Sequence, residues 1–335
     1  MKNLKRTKII IFGLLLFLFA CNAKEKKLIV YKGFTQGSTF SIKFYASVDS
    51  IKLKQGIDSI LADINHTAST YDTNSIISKV NSNQNVVLNN DFIQLFNKSL
   101  EVSKATNGCF DITVGELVKA WGFHFKKKQD INKEKIDSLL IYVGYQNLSL
   151  VNNKIIKKYS ETTIDFNAIA QGYTVDLVAE YLLKHSCIDF IVEIGGEVRV
   201  NGNKVNKEKW VVGIEKPAES ENSEQVVQEK VSLNNKSIST SGNYRKFFIK
   251  DGIKYSHEID PKTGSPVQHS LLSVSVIAND CTTADAYATA FMIMGVDKSK
   301  EFLRTHSDME AYFIFSDSTN KNQVFFTNQF FKQGE

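Results

Sequence analysis

Hydrophobic and polar residues alternate along several short segments of the chain, a period-two pattern that is typical of β-strands. Residues 28–46 read as two strands around a glycine-containing turn, and the pairs Asn152-Asn153 and Asp251-Gly252 suit tight hairpin turns. These patterns predict strands or hairpins at 28–46, 148–158, 190–200, 246–256, 271–278, 310–316 and 323–327.

Other segments place apolar residues three and four positions apart, as Ile57, Leu61 and Ile64 are, which predicts amphipathic helices. Helices are predicted at 49–68, 90–106, 113–121, 133–141, 170–186 and 283–295. The strands come mostly in hairpins and the helices are inserted between them. The predicted fold class is therefore α+β, a single large domain with a mostly antiparallel or mixed sheet.

The N-terminus combines a basic segment with a short apolar run. Residues 9–20 are uncharged and fewer than the roughly 20 residues that span a bilayer, which indicates a secretory signal peptide. The run ends in LFLFAC, which resembles the lipobox of bacterial lipoproteins and predicts lipidation of Cys21. The alternative is simple cleavage near Ala20 or Ala23.

This interpretation divides the chain into a signal peptide (1–20), a polar tether from a lipidated Cys21 (21–30) and one domain (31–335). The protein is expected to be exported and anchored by lipid to the bacterial cell membrane, facing the periplasm. The signal holds four of the 41 basic residues, so the mature chain has 37 basic and 36 acidic residues. That balance gives no reason to expect a nucleic acid partner.

The remaining cysteines, Cys109, Cys187 and Cys281, are odd in number and have no metal-binding spacing. The domain is therefore expected to depend on an ordinary hydrophobic core. A polar dip in composition at 219–229 is predicted to be a surface loop.

A buried metal site is one interpretation of the segment 281–295. Asp285 and Thr289 are four residues apart and project from one face of the predicted helix, among small and apolar neighbours. A buried carboxylate needs a partner, and a carboxylate with a hydroxyl suits Mg²⁺ shared with a phosphate. The alternative is an ordinary helix start with Thr282 or Thr283 as its cap.

Two further segments have the composition of ligand-binding loops. In TIDFNAIAQGYTVD (163–176), Asp165 ends a strand shortly before a helix N-terminus, a place that suits an anion. Asn167 as a simple cap is the alternative. In NGCFDITVGELVKAWGF (107–123), Asp111 and the loop around Cys109 face a ligand or form only a turn.

Two of the three prolines fall in SHEIDPKTGSP (256–266). Pro261 fixes φ and biases Asp260 toward an extended conformation, and Gly264 is free to take positive φ in a tight turn. The turn either connects two strands or holds His257 at a site.

Several of these segments together resemble one family. TQGSTFSIKFY, STYDTNSIISKVN, TNGCFDITVGELVKAWGF, TIDFNAIAQGYTVD, VEIGGEVRVNG, STSGNYRKFF, SHEIDPKTGSPV and ADAYAT occur in order from about Thr35 to about Gly295. In this the chain resembles the FAD:protein FMN transferases, the ApbE family. The resemblance implies an ApbE-like, T-fold-like domain over 31–335.

The resemblance also implies an activity and a site. Members use Mg²⁺ to move FMN from FAD onto a Thr or Ser hydroxyl of an exported or membrane flavoprotein, with release of AMP. Asp285, Thr289 and the carbonyl of Ala168 match the metal ligands, and His257, supported by Asp260, matches the proton-transfer residue. The positions that match FAD contacts are Gln36, Tyr71, Cys109, Phe110, Asp111, Asp165, Gln171 and His257. Gln36 and Gln171 stand where relatives often have Met and Lys, which is expected to alter nucleotide affinity.

Two other functions remain open at this stage. A Mg²⁺-dependent FAD pyrophosphatase would use the same site with water as the acceptor, giving FMN and AMP. A non-catalytic flavin-binding lipoprotein would not require His257, Asp285 and Thr289 together.

Overall fold

The computed structural model describes residues 26–47, 49–123, 131–217, 226–244, 247–250 and 253–334. The predicted signal peptide and the predicted lipidation of Cys21 lie outside the described residues. The strands are β1 (Lys27–Thr35), β2 (Ser38–Ala46), β3 (Leu148–Val151), β4 (Lys154–Lys157), β5 (Phe190–Ile194), β6 (Glu197–Asn201), β7 (Trp210–Glu215), β8 (Val227–Leu233), β9 (Ser237–Gly242), β10 (Phe247–Lys250), β11 (Ile253–Ser256), β12 (Leu271–Ala278), β13 (Glu310–Ser316) and β14 (Asn322–Phe326).

The helices follow the predicted amphipathic segments closely, with two additions. They are α1 (Ser50–Ala68), α2 (Ile76–Asn81), α3 (Asn90–Ala105), α4 (Gly115–Ala120), α5 (Lys133–Leu140), α6 (Ala170–Lys184), α7 (Cys281–Met294) and α8 (Val296–Leu303). The short helices α2 and α8 were not predicted, because six to eight residues carry too little periodicity. Within the described part of the chain, no helix is both long and apolar enough to cross a bilayer.

Eight strands form the main sheet in the order β1-β2-β5-β6-β9-β12-β13-β14. Every neighbouring pair in it is antiparallel. The remaining strands form separate pairs, β3–β4, β7–β8 and β10–β11. The predicted α+β class with a mostly antiparallel sheet is confirmed.

Hairpin turns were predicted at Asn152-Asn153 and at Asp251-Gly252, and the structure describes the first of them. Asn152 and Asn153 both have positive φ, 49° and 56°, as a two-residue hairpin turn requires. Residues 251–252, which join β10 to β11, lie outside the described residues.

The sheet separates two apolar faces. On one face, α1 and α6 cover one cluster that includes Ile42 and Val192, and α7 covers a second that includes Val276. On the opposite face, β7 and β8 pack with Trp210 and Leu233 against the sheet. Between the two helix-covered clusters, the helix side of the central strands is polar.

That polar strip comes from alternation on β6 and β9. Ser239 and Ser241 alternate with Ile238, whose side chain packs in the opposite cluster. Arg199 likewise alternates with Val198 and reaches α6. A segment rich in Ser, Thr and Gly reads as a loop, so β9 was missed by sequence reasoning although it is central.

Two predicted boundaries are wrong. The polar tether was placed at 21–30, but residues 27–30 belong to β1 and pair with β2. The loop predicted at 219–229 ends earlier, because Val227 already starts β8. The strand predicted at 28–46 already overlaps the predicted tether, so only the assigned boundary is in error there. At β8 the exposed, charged residues hide the strand, since such a strand has little apolar signal.

Candidate active site

Helix α7 carries the two side chains predicted to bind a metal, and it lies buried beside α6 and over β9 and β12. Asp280 caps its N-terminus by accepting a hydrogen bond from the Thr283 N–H at 2.7 Å. Thr282 donates its hydroxyl to Asp176 at 2.6 Å instead of capping the helix. The alternative of a Thr282 or Thr283 cap is therefore wrong.

Asp285 meets the first turn of α6 at Gly172. The Gly172 N–H donates to Asp285 Oδ2 at 3.0 Å. A Cβ at Gly172 would lie 2.4 Å from the Cys281 carbonyl oxygen and 2.7 Å from Asp285 Cβ. Only glycine lets the two helices approach this closely, and the approach itself brings the carboxylate to the end of α6.

This contact changes the hydrogen bonding of the α6 N-terminus. In a regular first turn the Gly172 N–H would donate to the carbonyl of Ala168. Here it donates to Asp285, whereas the neighbouring Tyr173 N–H keeps its regular partner, the Ile169 carbonyl, at 3.0 Å. Within the described residues, the Ala168 carbonyl is thus left without the donor that a helix would supply.

The carboxylate of Asp285 is buried, and no cationic side chain of the described residues pairs with it. Its residue is 5% exposed, and no Lys, Arg or His of the described residues forms an ion pair with it. Burial raises the pKa of Asp285 to about 7, the Gly172 N–H and the Ser239 hydroxyl lower it, and Asp176 raises it. The site therefore holds a negative charge that a bound cation would stabilise.

Hydroxyl groups surround the same point. Thr289, one turn beyond Asp285 on α7, lies 3.5 Å from the Ser241 hydroxyl, oxygen to oxygen. The buried Ser239 hydroxyl lies near the Asp285 carboxylate, whose pKa it lowers. These are neutral oxygen donors, which hard divalent cations accept beside one carboxylate. No cluster of three or more His, Cys, Asp and Glu side chains with metal-binding geometry occurs within the described ranges.

A second carboxylate, Asp176 of α6, holds the start of α7 in place. It accepts hydrogen bonds from the N–H groups of Cys281 and Thr282 at 2.9 and 2.8 Å and pairs with Arg199 at 2.9 Å. Burial raises the pKa of Asp176, while Thr282, Cys281 and Arg199 lower it. Sequence reasoning missed Asp176, although its spacing from Gly172 and Ala179 places it on the buried face of α6.

His257 follows the β10–β11 hairpin, which is a sheet of its own. Its Nδ1 lies 3.3 Å from Glu258 Oε2, and its ring packs edge-on to Phe123 with centroids 6.4 Å apart. The neighbouring Tyr255 stacks on Trp121 at 5.6 Å, and Trp121 donates its Nε1–H to the Gly264 carbonyl at 2.8 Å. Aromatic residues from the segment before 124 thus anchor both the hairpin and the following turn.

The turn at 260–264 has the backbone that Pro261 and Gly264 indicate. The Gly264 N–H donates to the Asp260 carbonyl at 2.8 Å, and Gly264 has φ +66°. The Asp260 carboxylate accepts from the Lys262 N–H at 2.9 Å, which stabilises the turn. The acid beside His257 is Glu258, so the geometry does not favour the predicted support from Asp260.

The loop 109–111 is predicted to contact FAD. In it, Phe110 and Asp111 are buried and Cys109 is half-buried. Phe110 is 1% exposed and packs in the core. The Asp111 carboxylate accepts from the Thr113 N–H, the Thr113 hydroxyl and the Tyr145 N–H at 2.8, 2.6 and 2.7 Å. Burial raises the pKa of Asp111 and these hydrogen bonds lower it. The side chains of Phe110 and Asp111 therefore stabilise the conformation of the loop, and a ligand would contact the loop backbone.

Cys109 joins this loop to the turn that follows His257. Burial raises the pKa of its thiol, Lys262 lowers it and Asp260 raises it. Charged residues of the 260–264 turn thus act on the Cys109 thiol, although about 150 residues of sequence separate the two.

Asp165 and Tyr71 lie together near the start of α6. Asp165 accepts from the Asn167 N–H at 2.8 Å, and its own N–H donates to the Ile112 carbonyl at 2.8 Å. Burial raises the pKa of Tyr71, and the Asp165 charge adds to this. Tyr71 remains 61% exposed, so its ring is accessible to a ligand.

The two glutamines also converge on α6. Gln36, at the turn between β1 and β2, donates from Nε2 to the Thr174 hydroxyl at 2.6 Å. The Nε2 atom of Gln171 lies 2.5 Å from where a Cβ on Gly195 would be, so it packs on the β5–β6 turn. The first turns of α6 thus collect Gln36, Gln171, Asp165 and Asp285 at one end of the molecule.

Comparison with known proteins identifies the family. The model of the ApbE family matches residues 36–313. The chain belongs to the ApbE family.

Named relatives of the family align over most of their length. A FAD:protein FMN transferase from Haemophilus influenzae is 35% identical over 320 residues, 91% of each chain. One from Vibrio cholerae is 34% identical, covering 88% of this chain and 89% of its own. The solved flavin transferase ApbE from Vibrio cholerae matches with a TM-score of 0.82 at 30% identity, over 91% of this chain and 98% of the other.

Proposed function

We propose that this ApbE family member uses Mg²⁺ to transfer FMN from FAD to a Thr or Ser hydroxyl of an exported or membrane flavoprotein, releasing AMP. Transfer of FMN from FAD agrees with the names of its relatives. The observation that carries the proposal is the Asp285 carboxylate, which is buried beside a helix N-terminus and forms no ion pair with a Lys, Arg or His of the described residues.

The residues present fit a magnesium ion. Asp285 supplies a carboxylate, Thr289 a hydroxyl and Ala168 a carbonyl that the Gly172 contact with Asp285 has released. All are hard oxygen ligands, and waters and a substrate phosphate would complete the octahedral shell that Mg²⁺ prefers. When bound, the ion would neutralise the negative charge that develops on the diphosphate.

In this reaction one phosphorus–oxygen bond forms and one breaks. The acceptor hydroxyl oxygen attacks the phosphorus on the FMN side of FAD, and the bond from that phosphorus to the AMP phosphate oxygen breaks. The hydroxyl proton passes to the imidazole of His257, and AMP leaves as the monophosphate. Such transfer needs alignment and charge stabilisation more than covalent help from the protein.

The N-terminal segment supports a place for the reaction at a membrane surface. If Cys21 is lipidated, β1 begins only six residues later, at Lys27. Six extended residues reach about 20 Å, so the anchor would keep the domain near the bilayer. An exported or membrane-bound acceptor is the partner that suits this position.

Mass spectrometry of an acceptor domain tests the transfer. The purified protein is incubated with FAD, Mg²⁺ and a flavoprotein domain that carries the acceptor Thr, with Thr→Val in that domain as the control. We expect the mass of one FMN on the Thr acceptor and none on the control. Free FMN and AMP with unmodified acceptor would instead identify an FAD pyrophosphatase, and intact FAD would identify a flavin-binding protein.

The role of His257 is tested by replacing it. We expect His257→Ala to bind FAD with unchanged affinity, measured by fluorescence quenching, and to transfer FMN about 10²–10⁴-fold more slowly, because the attacking hydroxyl lacks a base. Wild-type transfer by this variant would overturn the assignment of His257.

A further inference from the structure

Glu258 is a buried carboxylate whose role neither the fold nor the family resemblance supplies. Its main chain is fixed, because its carbonyl accepts from the Val267 N–H at 3.0 Å and the next residue, Ile259, forms a bridge with Pro266. Its side chain is 4% exposed. A carboxylate held this far from water is costly unless a donor or a cation compensates it.

The side chain placed to compensate the buried carboxylate of Glu258 is that of His257. Glu258 Oε2 and His257 Nδ1 are 3.3 Å apart, and both atoms are buried without a hydrogen-bond partner. In the described part of the chain, no lysine or arginine forms an ion pair with Glu258. A small rotation of either side chain would align the Nδ1–H with the carboxylate.

The burial of the imidazole is uneven. The His257 side chain as a whole is 36% exposed, yet its Nδ1 is buried. The exposed part of the ring therefore belongs to its other atoms, on the side away from Glu258. A hydrogen bond from Nδ1–H would fix the neutral tautomer in which Nε2 carries the lone pair.

We propose that Glu258 is a positioning residue for His257. It accepts the Nδ1–H hydrogen bond, holds the ring plane and keeps Nε2 free to take the proton of the acceptor hydroxyl. This rests on the proposed role of His257, and it assigns to Glu258 the support that the sequence suggested for Asp260. Asp260 is committed to the Lys262 N–H in the turn.

Nitrogen-15 NMR of histidine-labelled protein tests the tautomer without any turnover. The His257 signals are assigned by their loss in His257→Ala. We expect the wild-type ring to be protonated at Nδ1 at neutral to alkaline pH, and in Glu258→Leu we expect a mixture or the Nε2–H form. A wild-type ring protonated at Nε2 would overturn the proposal even if transfer is normal.

Kinetics of matched variants separate positioning from packing. Glu258→Gln keeps an oxygen acceptor and should stay within a few-fold of wild-type kcat. Glu258→Leu keeps the volume but not the acceptor, and its kcat should fall about 10–100-fold at unchanged KM for FAD, as for other residues that orient a histidine. Glu134→Gln, on the exposed face of α5, is the control for removal of one negative charge.

The outcomes distinguish the two proposals. If His257→Ala abolishes transfer while Glu258→Leu keeps wild-type kcat and the Nδ1–H tautomer, Glu258 has no positioning role and the proposed function still holds. If His257→Ala itself transfers at the wild-type rate, the proposed base is wrong and Glu258 loses its purpose with it.

Discussion

The helix pair α6–α7 and the hairpin β10–β11 satisfy their buried polar groups in different ways. In the helix pair, Asp176 accepts from Arg199, Cys281 and Thr282 and so holds the start of α7, which carries Asp285, in place. At the end of the hairpin, His257 and Glu258 are close but not yet bonded. The first region is built to hold a charge at a fixed point, and the second to carry a group whose proton moves.

Their connections to the fold support this division. Helix α7 packs on the central strands β9 and β12, whereas β10 and β11 form a sheet separate from the main one. A diphosphate requires a charge-stabilising site of constant geometry, while a general base has only to reach the attacking hydroxyl. The comparison predicts that substitutions in the two regions change different measurable quantities.

The largest combined effect on FMN transfer and Mg²⁺ binding is expected from Asp285→Ala. Removal of the carboxylate should lower Mg²⁺-dependent FMN transfer by about 10³-fold, the upper range for loss of one charge-stabilising group. Mg²⁺ binding, measured by isothermal titration calorimetry, should be lost in this variant and retained in His257→Ala. Equal Mg²⁺ affinity in both variants would remove the distinction between the two regions.

The pH dependence of stability tests the same carboxylate without substrate. Because burial raises the pKa of folded Asp285 to about 7, above about 3.9 for an unfolded Asp, the folded protein binds this proton more tightly. The resulting stability is fully present below about pH 4 and is lost as pH rises through 7. The loss is at most about 4 kcal/mol without a metal.

Asp285→Asn should abolish this part of the pH dependence. Urea unfolding at pH 5 and pH 8 measures it: the wild type should lose stability between them relative to the Asn variant. Added Mg²⁺ should stabilise the wild type at pH 8 and leave the variant unchanged. Parallel pH profiles for the two proteins, with and without Mg²⁺, would show that Asp285 is not a buried, uncompensated carboxylate.

The sequence predicted helix α7 better than strand β9, on which that helix packs. Asp285 and Thr289 were singled out because a four-residue spacing on an apolar helix is a local pattern. Strand β9 was missed because its serines are a strand face only in the presence of Asp285, which lies more than 40 residues further along the chain. Long-range pairing of polar residues leaves no periodic apolar pattern to detect.

A similar limit applies at His257. Pro261 and Gly264 correctly predicted a tight turn, and the sequence analysis assigned the support of His257 to Asp260. Glu258 was not considered, and in a regular extended chain its side chain would point to the opposite face from His257. The backbone bends at His257 and lets adjacent side chains meet, and no local composition signals that bend.

The smallest effect is expected from Gly172→Ala, because Gly172 sets the distance between α6 and α7. In Gly172→Ala the new Cβ meets backbone, the Cys281 carbonyl oxygen at 2.4 Å, so α6 and α7 must separate. We expect a loss of about 1–3 kcal/mol in the free energy of unfolding and weaker Mg²⁺ binding, because the Gly172 N–H moves away from Asp285. Urea unfolding and calorimetry measure the two effects.

Gly56→Ala is the matched control, since Gly56 also lies within a helix and a Cβ there would also meet a close neighbour. That neighbour is the hydroxyl end of Tyr181, a partly exposed side chain whose hydroxyl donates to the Lys52 carbonyl at 3.4 Å, so a side chain and not backbone has to move. The removal of a helical glycine and the displacement of Tyr181 oppose each other, so we expect stability to change by no more than about 1 kcal/mol, with no change in Mg²⁺ affinity. If both variants lose Mg²⁺ affinity equally, general loosening of the domain explains the effect, and the spacing of α6 and α7 at Asp285 does not.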